Sequence, residues 1–201
     1  MNEPQPSADY ANPRFTYGDY LLWADGERWE LIDGEAYCMA PAPTVHHQRL
    51  VGNVFAQLHA QLQGARCEAF IAPFDVRLPH ADEPDEQITN VVQPDLMIVC
   101  DPSKIDDRGC RGAPDFVVEV LSPSTMARDR FNKRDLYERH DVREYWLIHP
   151  TERVVTIHRR TEDGRFGPPI VQSAEGRLAL TSVPDVHVDW AQAFARAVPP
   201  G

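Results

Sequence analysis

The chain has 201 residues, of which 42% are hydrophobic, and carries a net charge of −11 at pH 7. That length suffices for one domain with a full core and is short for two. The negative charge argues against a protein that binds nucleic acid nonspecifically over a broad surface. No run approaches the roughly 20 consecutive apolar residues of a membrane span, so we expect a soluble, cytoplasmic protein that does not enter a membrane.

The N-terminal region combines a polar tail with a short helix. Residues 1–14 hold three prolines and little that could be buried, which predicts a disordered tail ahead of a single domain over residues 15–201. Thr16 and Asp19 have the three-residue spacing of a capping box, and they predict a helix over about 17–25.

A β-hairpin and a long helix follow. The β-capable runs 29–32 and 36–40 flank Asp33-Gly34, a turn pair that adopts positive φ at low cost. Thr44 is a suitable N-cap for a helix that extends to about Gln63, because the apolar residues after Thr44 recur every three or four positions. We expect this amphipathic helix to pack on a sheet.

Four strand-like segments come next, and two of them resemble central strands. The near-continuous apolar character of 91–100 and 115–122 is typical of strands that are covered on both faces. The intervening stretches 80–90 and 101–113 are rich in Asp, Glu, Pro and Gly, and they predict surface loops. The four predicted strands are 67–72, 74–78, 91–100 and 115–122.

The last third of the chain continues with helices and strands. Ser and Thr residues after 115–122 predict the start of a helix that runs to about His140, and 143–149 returns as a strand. The order strand, helix, strand predicts a right-handed crossover. The segment 154–159 is expected to pair with 143–149 as a hairpin, and a short helix is predicted near 189–197.

The four cysteines, Cys38, Cys67, Cys100 and Cys110, are scattered without a CxxC pair. Their spacing indicates neither a zinc site nor a redox motif. In a cytoplasmic protein we expect all four to be reduced thiols.

Two carboxylates interrupt the predicted central strands. Asp95 follows Pro94 in the first strand and Glu119 lies within the second, where a charge is costly unless it is paired or bound to a metal. If the strands are neighbours and the side chains share a face, their oxygens and the backbone carbonyl of Val120 predict a site for one Mg²⁺ or Mn²⁺. Such an ion suits phosphodiester hydrolysis. The alternative is structural, with Asp95 capping a strand end and Glu119 in a buried ion pair with an arginine.

Further polar residues extend this hypothesis. Asp129, Lys133 and Tyr137 are spaced i, i+4, i+8 and share one helix face. From there Lys133 could orient the attacking water or steady the phosphate, although a surface ion pair with Asp129 is the alternative. Glu30 could be an accessory acid or metal ligand, but solvent-facing alternation in a hairpin strand explains it equally well.

His46 and His47 stand at a helix start, where capping or surface roles are favoured over metal ligation. The sequence contains no nucleophile elbow, Walker loop or dinucleotide fingerprint.

A nuclease also needs a cationic path for phosphate, and basic residues lie on both sides of Glu119 in sequence. Ordinary solvated charge is the alternative explanation. The candidates for this basic strip are Lys104, Arg108, Arg111, Arg128, Arg130, Lys133 and Arg134.

Several blocks of the sequence occur together in a known protein family. They are WELIDGE at 29–35, Pro94-Asp95, EVLSPST at 119–125, Asp129, Lys133, Tyr137 and EYW at 144–146. In this order they resemble the Uma-two family of restriction-endonuclease-like proteins, in the PD-(D/E)XK nuclease superfamily, over about residues 15–190. The resemblance implies a restriction-endonuclease-like α/β fold, with a mixed central β-sheet flanked by helices and with peripheral β-hairpins. It also implies a Mg²⁺-type site and a homodimer.

The resemblance implies roles for individual residues as well. Asp95 and Glu119 are then metal ligands, Glu30 an accessory acid, and the chain a Mg²⁺-dependent endonuclease that cuts DNA. The superfamily signature has a lysine two positions after the glutamate, where this chain has Leu121. The family resembles cases in which the lysine has moved to the following helix, and Lys133 matches that position.

Two other functions are compatible with the same sequence. A binding or regulatory module that kept the fold and lost turnover is favoured by the acidic composition and the displaced lysine. Hydrolysis of a different phosphoester at the same ion is permitted by the low content of cationic residues.

Overall fold

The structure is a computed structural model that describes residues 14–23, 28–39, 43–122 and 128–197. Within these ranges the helices are α1 (Tyr17–Tyr20), α2 (Val45–Gln61), α3 (Arg134–Arg139) and α4 (Trp190–Ala193), and a π-helical turn, Arg128–Lys133, leads into α3. None of these helices combines the length and the apolar character needed to cross a bilayer. The strands are β1 (Trp29–Ile32), β2 (Glu35–Cys38), β3 (Glu68–Ile71), β4 (Val76–Arg77), β5 (Val91–Val92), β6 (Leu96–Val99), β7 (Ile105–Asp106), β8 (Gly109–Arg111), β9 (Phe116–Val120), β10 (Glu144–His149), β11 (Val154–Arg159), β12 (Ile170–Ser173), β13 (Arg177–Ala179) and β14 (His187–Asp189).

Two six-stranded sheets form the body of the protein. The central sheet has the order β12-β11-β10-β9-β6-β3, and it is mixed because β9 and β10 are parallel while the other neighbours are antiparallel. The outer sheet has the order β2-β1-β5-β4-β8-β7, and β13 pairs with β14 separately. The expected mixed central sheet is confirmed, and the expected hairpin β1–β2 is part of the outer sheet.

Helices cover both faces of the central sheet, because its middle strands are apolar on both sides. Every residue of β9 and β10 is buried. Val54 and Leu58 of α2 pack in one apolar cluster with Val118, whereas Leu136 of α3 packs in another with Val117. Successive residues of β9 point to opposite faces and therefore meet different helices.

The predicted strand 91–100 is two strands in different sheets. β5 belongs to the outer sheet and β6 to the central sheet, and the segment between them contains Pro94. Proline has no N–H to donate to a strand ladder, which interrupts the run at this point. Because of the break, Asp95 lies where the two sheets meet.

Other boundaries differ less from the prediction. The predicted loop 101–113 contains the hairpin β7–β8, in which Ile105 pairs with Cys110. Its strands are two and three residues long, too short to show periodicity in sequence. The helix predicted before His140 is the π-helical turn followed by α3. The expected start of this helix falls largely on residues 123–127, which lie outside the described residues. The expected N-terminal tail also lies outside them, apart from residue 14.

The expectation of four reduced cysteines is wrong for one pair. Cys67 and Cys100 form a disulfide, while Cys110 is a buried thiol. β3 and β6 are antiparallel with Glu68 opposite Val99, so one step outward Cys67 stands opposite Cys100. This register could not be inferred from two cysteines that are 33 positions apart in sequence.

The buried His158 makes the fold sensitive to acid. Its ring contacts those of Tyr145 and Phe166, and its Nδ1 has no hydrogen-bond partner within the described ranges. Burial, helped by the positive charge of Arg134, lowers the pKa of His158 from 6.5 to about 4. The unfolded chain therefore binds this proton more tightly than the folded chain, so the free energy of unfolding falls as the pH drops from about 6.5 to about 4.

The substitution His158→Phe removes this titration and keeps an aromatic ring in place. We expect the variant to lose less stability than the wild type over that pH range, measured by urea unfolding at a series of pH values. His140, whose pKa burial and the nearby His80 lower to about 4, leaves a residual slope. The exposed His59→Phe is the control and should keep the wild-type slope. Equal slopes for wild type and His158→Phe would contradict the assignment.

Candidate metal centre

Asp95 and Glu119 face each other across two neighbouring strands. β6 and β9 are antiparallel with Leu96 opposite Val118, so one step further Asp95 stands opposite Glu119. The Asp95 N–H lies 3.4 Å from Glu119 Oε2, and Asp95 Oδ2 accepts a hydrogen bond of 2.8 Å from the Val120 N–H. The neighbouring strands required by the sequence hypothesis are therefore present.

The junction between the two sheets positions Asp95. Ahead of Pro94, Gln93 donates its backbone N–H to Glu30 Oε1 over 2.9 Å. The side-chain oxygen of Gln93 accepts a hydrogen bond of 2.9 Å from Arg28 Nε. These bonds attach the residues that enter β6 to the outer sheet, so both sheets determine where the aspartate lies.

Lys133 ends the π-helical turn and reaches the same place. Its Nζ lies 2.7 Å from Glu119 Oε1, 2.8 Å from Glu30 Oε1 and 3.6 Å from Asp129 Oδ1. Tyr137 donates its hydroxyl hydrogen to Glu119 Oε1 over 3.3 Å. The helix face predicted for Asp129, Lys133 and Tyr137 is therefore found, and it is buried instead of forming a surface ion pair. π-Helical turns are frequent at functional sites.

Glu30 and Leu121 also have defined places. Glu30 is only 1% exposed, so the solvent-facing explanation for it is wrong. Leu121, at the position where the superfamily signature has lysine, belongs to the apolar cluster around α3. The chain contains two lysines, Lys104 and Lys133, and the second brings an ammonium group to Glu119 from the following helix.

Among the described residues, the buried cluster holds more acidic than basic side chains. Glu30, Glu119 and Asp129 surround the ammonium group of Lys133, and Asp95 lies beside them. Burial raises the pKa of Glu119 well above its usual value, against the charge of Lys133. For Lys133, burial opposes the charged form, but the three carboxylates outweigh burial and raise its pKa, so the lysine stays protonated. A divalent cation would favour the ionised form of Glu119 and would balance the acidic side chains that outnumber the lysine in the described part of the site.

His47 lies at the edge of this cluster, whereas its sequence position favours a capping or surface role. Thr44 caps α2 by accepting a hydrogen bond from the His47 N–H, and His46 Nδ1 lies 2.8 Å from the Ala197 carbonyl oxygen. The His47 ring reaches the site, with Nε2 at 3.1 Å from the Val120 carbonyl oxygen and 3.3 Å from Asp95 Oδ2. Burial disfavours its protonated form, but hydrogen bonding to Asp95 and the charge of Asp95 raise the pKa of His47.

A signal for this placement is present in the sequence. The buried residues of α2 are Leu50, Val51, Val54 and Leu58. His47 precedes the first three of them by three, four and seven positions, so it lies on the buried stripe of the helix. Its immediate neighbour His46 precedes Leu50 and Val54 by four and eight positions, which puts it at the edge of that stripe, and it is more exposed than His47.

The donor atoms at the site fit a small divalent cation. Asp95, Glu119 and the Val120 carbonyl offer the oxygens that Mg²⁺ and Mn²⁺ prefer. The surplus of buried negative charge provides the matching counter-charge. In the described part of the chain no three His, Cys, Asp or Glu side chains already surround one point, so an ion here would use the backbone carbonyl as well as side chains.

Within the described residues, three of the seven candidates for the basic strip are engaged by carboxylates of the protein. Lys133 is buried within the cluster, and Arg111 and Arg134 are engaged by carboxylates of Asp85 and Glu138. The side chains of Arg128 and Arg130 lie outside the described residues. Several of the candidate cations are thus held by contacts within the protein.

Both the sequence and the fold resemble known proteins. Residues 17–191 match the family model Uma2, described as “Putative restriction endonuclease”. The uncharacterized protein slr1290 of Synechocystis sp. is 28% identical over 181 residues, which cover 89% of this chain and 90% of that protein. A crystal structure of a “putative nuclease belonging to DUF820” from Anabaena variabilis has a TM-score of 0.71 at 17% identity, covering 92% of this chain and 99% of that chain. At that identity the likeness shows the shared fold.

Removing the positive charge of Lys133 should destabilise the protein, because the buried carboxylates of Glu30 and Glu119 lose the ammonium group that balances their charge. We expect Lys133→Met to lower the free energy of unfolding by about 3–5 kcal/mol, the usual cost of breaking a buried pair from one side. Urea unfolding at pH 7 without added metal measures the change.

The control for this variant is Lys104→Met, which removes the other lysine. Lys104 Nζ donates to the Ala113 carbonyl over 2.8 Å, so its loss should cost only about 0.5–1.5 kcal/mol. Equal destabilisation by the two substitutions would show that the charges around Lys133 are not coupled as the distances indicate.

Proposed function

This chain belongs to the Uma2 family, described as “Putative restriction endonuclease”, and we propose that it is a metal-dependent endonuclease that hydrolyses phosphodiester bonds in DNA. The observation that carries the proposal is the convergence of Lys133 on Glu119, directly opposite Asp95. Two acids and a lysine, the parts of the superfamily signature, are thereby gathered although Leu121 replaces the lysine in its usual position.

In this proposal Asp95, Glu119 and the Val120 carbonyl hold one Mg²⁺ or Mn²⁺. The support is the cross-strand pairing of the two acids and the surplus negative charge around them. When bound, the ion supplies positive charge that stabilises the negative charge developing on the phosphate. Asp95 is kept in place by the Val120 N–H, and Glu119 by Lys133 and Tyr137.

Lys133 acts on the water or the phosphate in this scheme. An ammonium group has three N–H donors, and the contacts to Glu119 and Glu30, both within 2.8 Å, use two of them. The distance of 3.6 Å to Asp129 is too long for a hydrogen bond. We propose that the third donor orients the attacking water or holds the scissile phosphate. Glu30 is then a positioning residue that fixes Lys133.

We also propose that two copies act together as a homodimer, each cutting one DNA strand. The two strands of DNA run in opposite directions, and a dimer with two-fold symmetry presents two identical sites in matching orientations. Light scattering with and without DNA measures the assembly. A protein that makes only single-strand nicks as a monomer would contradict this part of the proposal.

Cleavage of supercoiled plasmid tests the activity. We expect the wild type to cut in the presence of Mg²⁺ or Mn²⁺ and to stop when the ions are chelated. Asp95→Asn and Lys133→Gln should each lower the rate by about 10²-fold or more, the scale for loss of an acid–base or charge-stabilising group.

Matched controls for these variants are Asp107→Asn, at an exposed position, and Arg165→Gln, at an exposed cation outside the candidate basic strip. Both should cut at the wild-type rate. If purified wild type binds the ion yet leaves the plasmid as intact as both site variants do, the nuclease proposal fails.

A binding or regulatory module without turnover is the second candidate. The observation that favours it is the engagement of the candidate cations by internal carboxylates, which leaves less positive charge for a DNA path. The same assay separates the two, because a module binds DNA or a partner without cutting. Activity on small phosphodiesters but not on plasmid would instead indicate a different phosphoester substrate.

A further inference from the structure

We propose that His47 is a further ligand of the ion and that its nitrogen makes the site prefer Mn²⁺ and other transition metals over Mg²⁺. The inference rests on the proposed function only in placing an ion at Asp95. It adds a donor from α2, an element that the carboxylate signature does not include.

The distances around the His47 ring are the first support. Nε2 lies 3.1 Å from the Val120 carbonyl oxygen and 3.3 Å from Asp95 Oδ2. Ligands at adjacent corners of an octahedron with metal–donor distances of about 2.1 Å are roughly 3.0 Å apart. The imidazole nitrogen therefore has, from each of the two oxygens, nearly the spacing of donors that share one ion.

The chemistry of the contact is the second support. The Val120 carbonyl oxygen only accepts hydrogen bonds, so Nε2 carries the hydrogen that lies between the ring and the two oxygens. That hydrogen occupies a position bounded by a nitrogen, a carboxylate oxygen and a carbonyl oxygen. A cation in its place would be attracted by all three donors, and the neutral ring would then carry its single hydrogen on Nδ1.

The helix holds the ring in this position. His47 lies in the first turn of α2, where Thr44 accepts a hydrogen bond from its backbone N–H. The buried stripe of α2 continues from His47 through Leu50 and Val54 into the apolar cluster that covers the central sheet. Its side chain is 14% exposed, so the ring has little freedom to turn away.

The donor type sets the expected metal preference. Mg²⁺ binds oxygen ligands almost exclusively, whereas imidazole is a common ligand of Mn²⁺, Co²⁺ and Zn²⁺. A site of oxygens alone would accept Mg²⁺ and Mn²⁺ similarly. A nitrogen donor from His47 shifts the balance toward the transition metals.

Metal binding to the full-length protein without DNA tests the inference. We expect His47→Gln, which places an amide group near the position of Nε2, to lower the affinity for Mn²⁺ by about 10-fold or more in calorimetric titrations. Its affinity for Mg²⁺ should change much less, so the ratio of the Mn²⁺ affinity to the Mg²⁺ affinity becomes smaller than in the wild type. His46→Gln is the matched control, because His46 contacts the Ala197 carbonyl instead, and it should bind both ions as the wild type does.

Pulsed electron paramagnetic resonance on bound Mn²⁺ gives a second readout that needs no variant. A directly bound imidazole produces a nitrogen coupling, which should be present in the wild type, change on ¹⁵N-histidine labelling and disappear in His47→Gln. Circular dichroism checks that the variant is folded.

The possible outcomes separate this inference from the proposed function. Wild-type Mn²⁺ affinity and an unchanged nitrogen coupling in His47→Gln overturn the role of His47. If Asp95→Asn loses binding under the same conditions, an ion site formed by oxygen ligands is still supported. If Asp95→Asn also binds Mn²⁺ as the wild type does, or if the wild type binds neither ion, the ion site itself is wrong.

Discussion

The contact between Lys133 and Glu119 joins parts of the protein that are far apart in sequence. Lys133 ends the π-helical turn, Glu119 belongs to the central sheet and Glu30 to the outer sheet, and all three meet at one ammonium group. A buried ion pair is a weak source of stability, because the loss of hydration offsets much of the attraction. Three buried carboxylates around one lysine are therefore a costly arrangement for the core, which supports the proposal that they serve the chemistry of the site.

The break between β5 and β6 lets the outer sheet act on the same site. Gln93 stands just ahead of the break, where its side-chain amide donates to Asp75 over 2.8 Å and its backbone N–H donates to Glu30. The chain then passes Pro94 and enters the central sheet at Asp95. A change in the outer sheet would thus move both the aspartate and the partner of Lys133.

The sequence predicted the helices and strands whose apolar pattern extends over many residues. It also predicted the site residues whose charge is costly to bury. α2 follows from its three- and four-residue spacing, β9 and β10 from their apolar runs, and Asp95 and Glu119 from their charge inside such runs. Pairing could not be predicted in the same way. The disulfide and the two strands β7 and β8 depend on register, and a register is set by contacts between segments rather than by any pattern within one segment.

His47 shows a different limit of sequence reasoning. Its place at a helix start suggests a capping or surface role, while its place on the buried stripe of α2 suggests an interior one, and only the packing of α2 on the sheet decides between them. The first turn of the helix brings the His47 ring to the end of β9, where the Val120 carbonyl lies. Two neighbouring histidines consequently have unrelated surroundings.

The charge distribution bears on the order in which an ion and a nucleic acid would reach the site. Most of the net charge of −11 is distant from any one phosphate, and at physiological ionic strength charges more than about 8 Å apart are largely screened in solvent. The carboxylates around Lys133 are buried, so solvent screens them far less. They would repel a phosphate for as long as their surplus charge is uncompensated. If the site works as proposed, the cation must therefore bind before the DNA backbone. The acidic composition of the chain is then compatible with a nuclease, because phosphate is attracted by the bound ion and not by a basic surface.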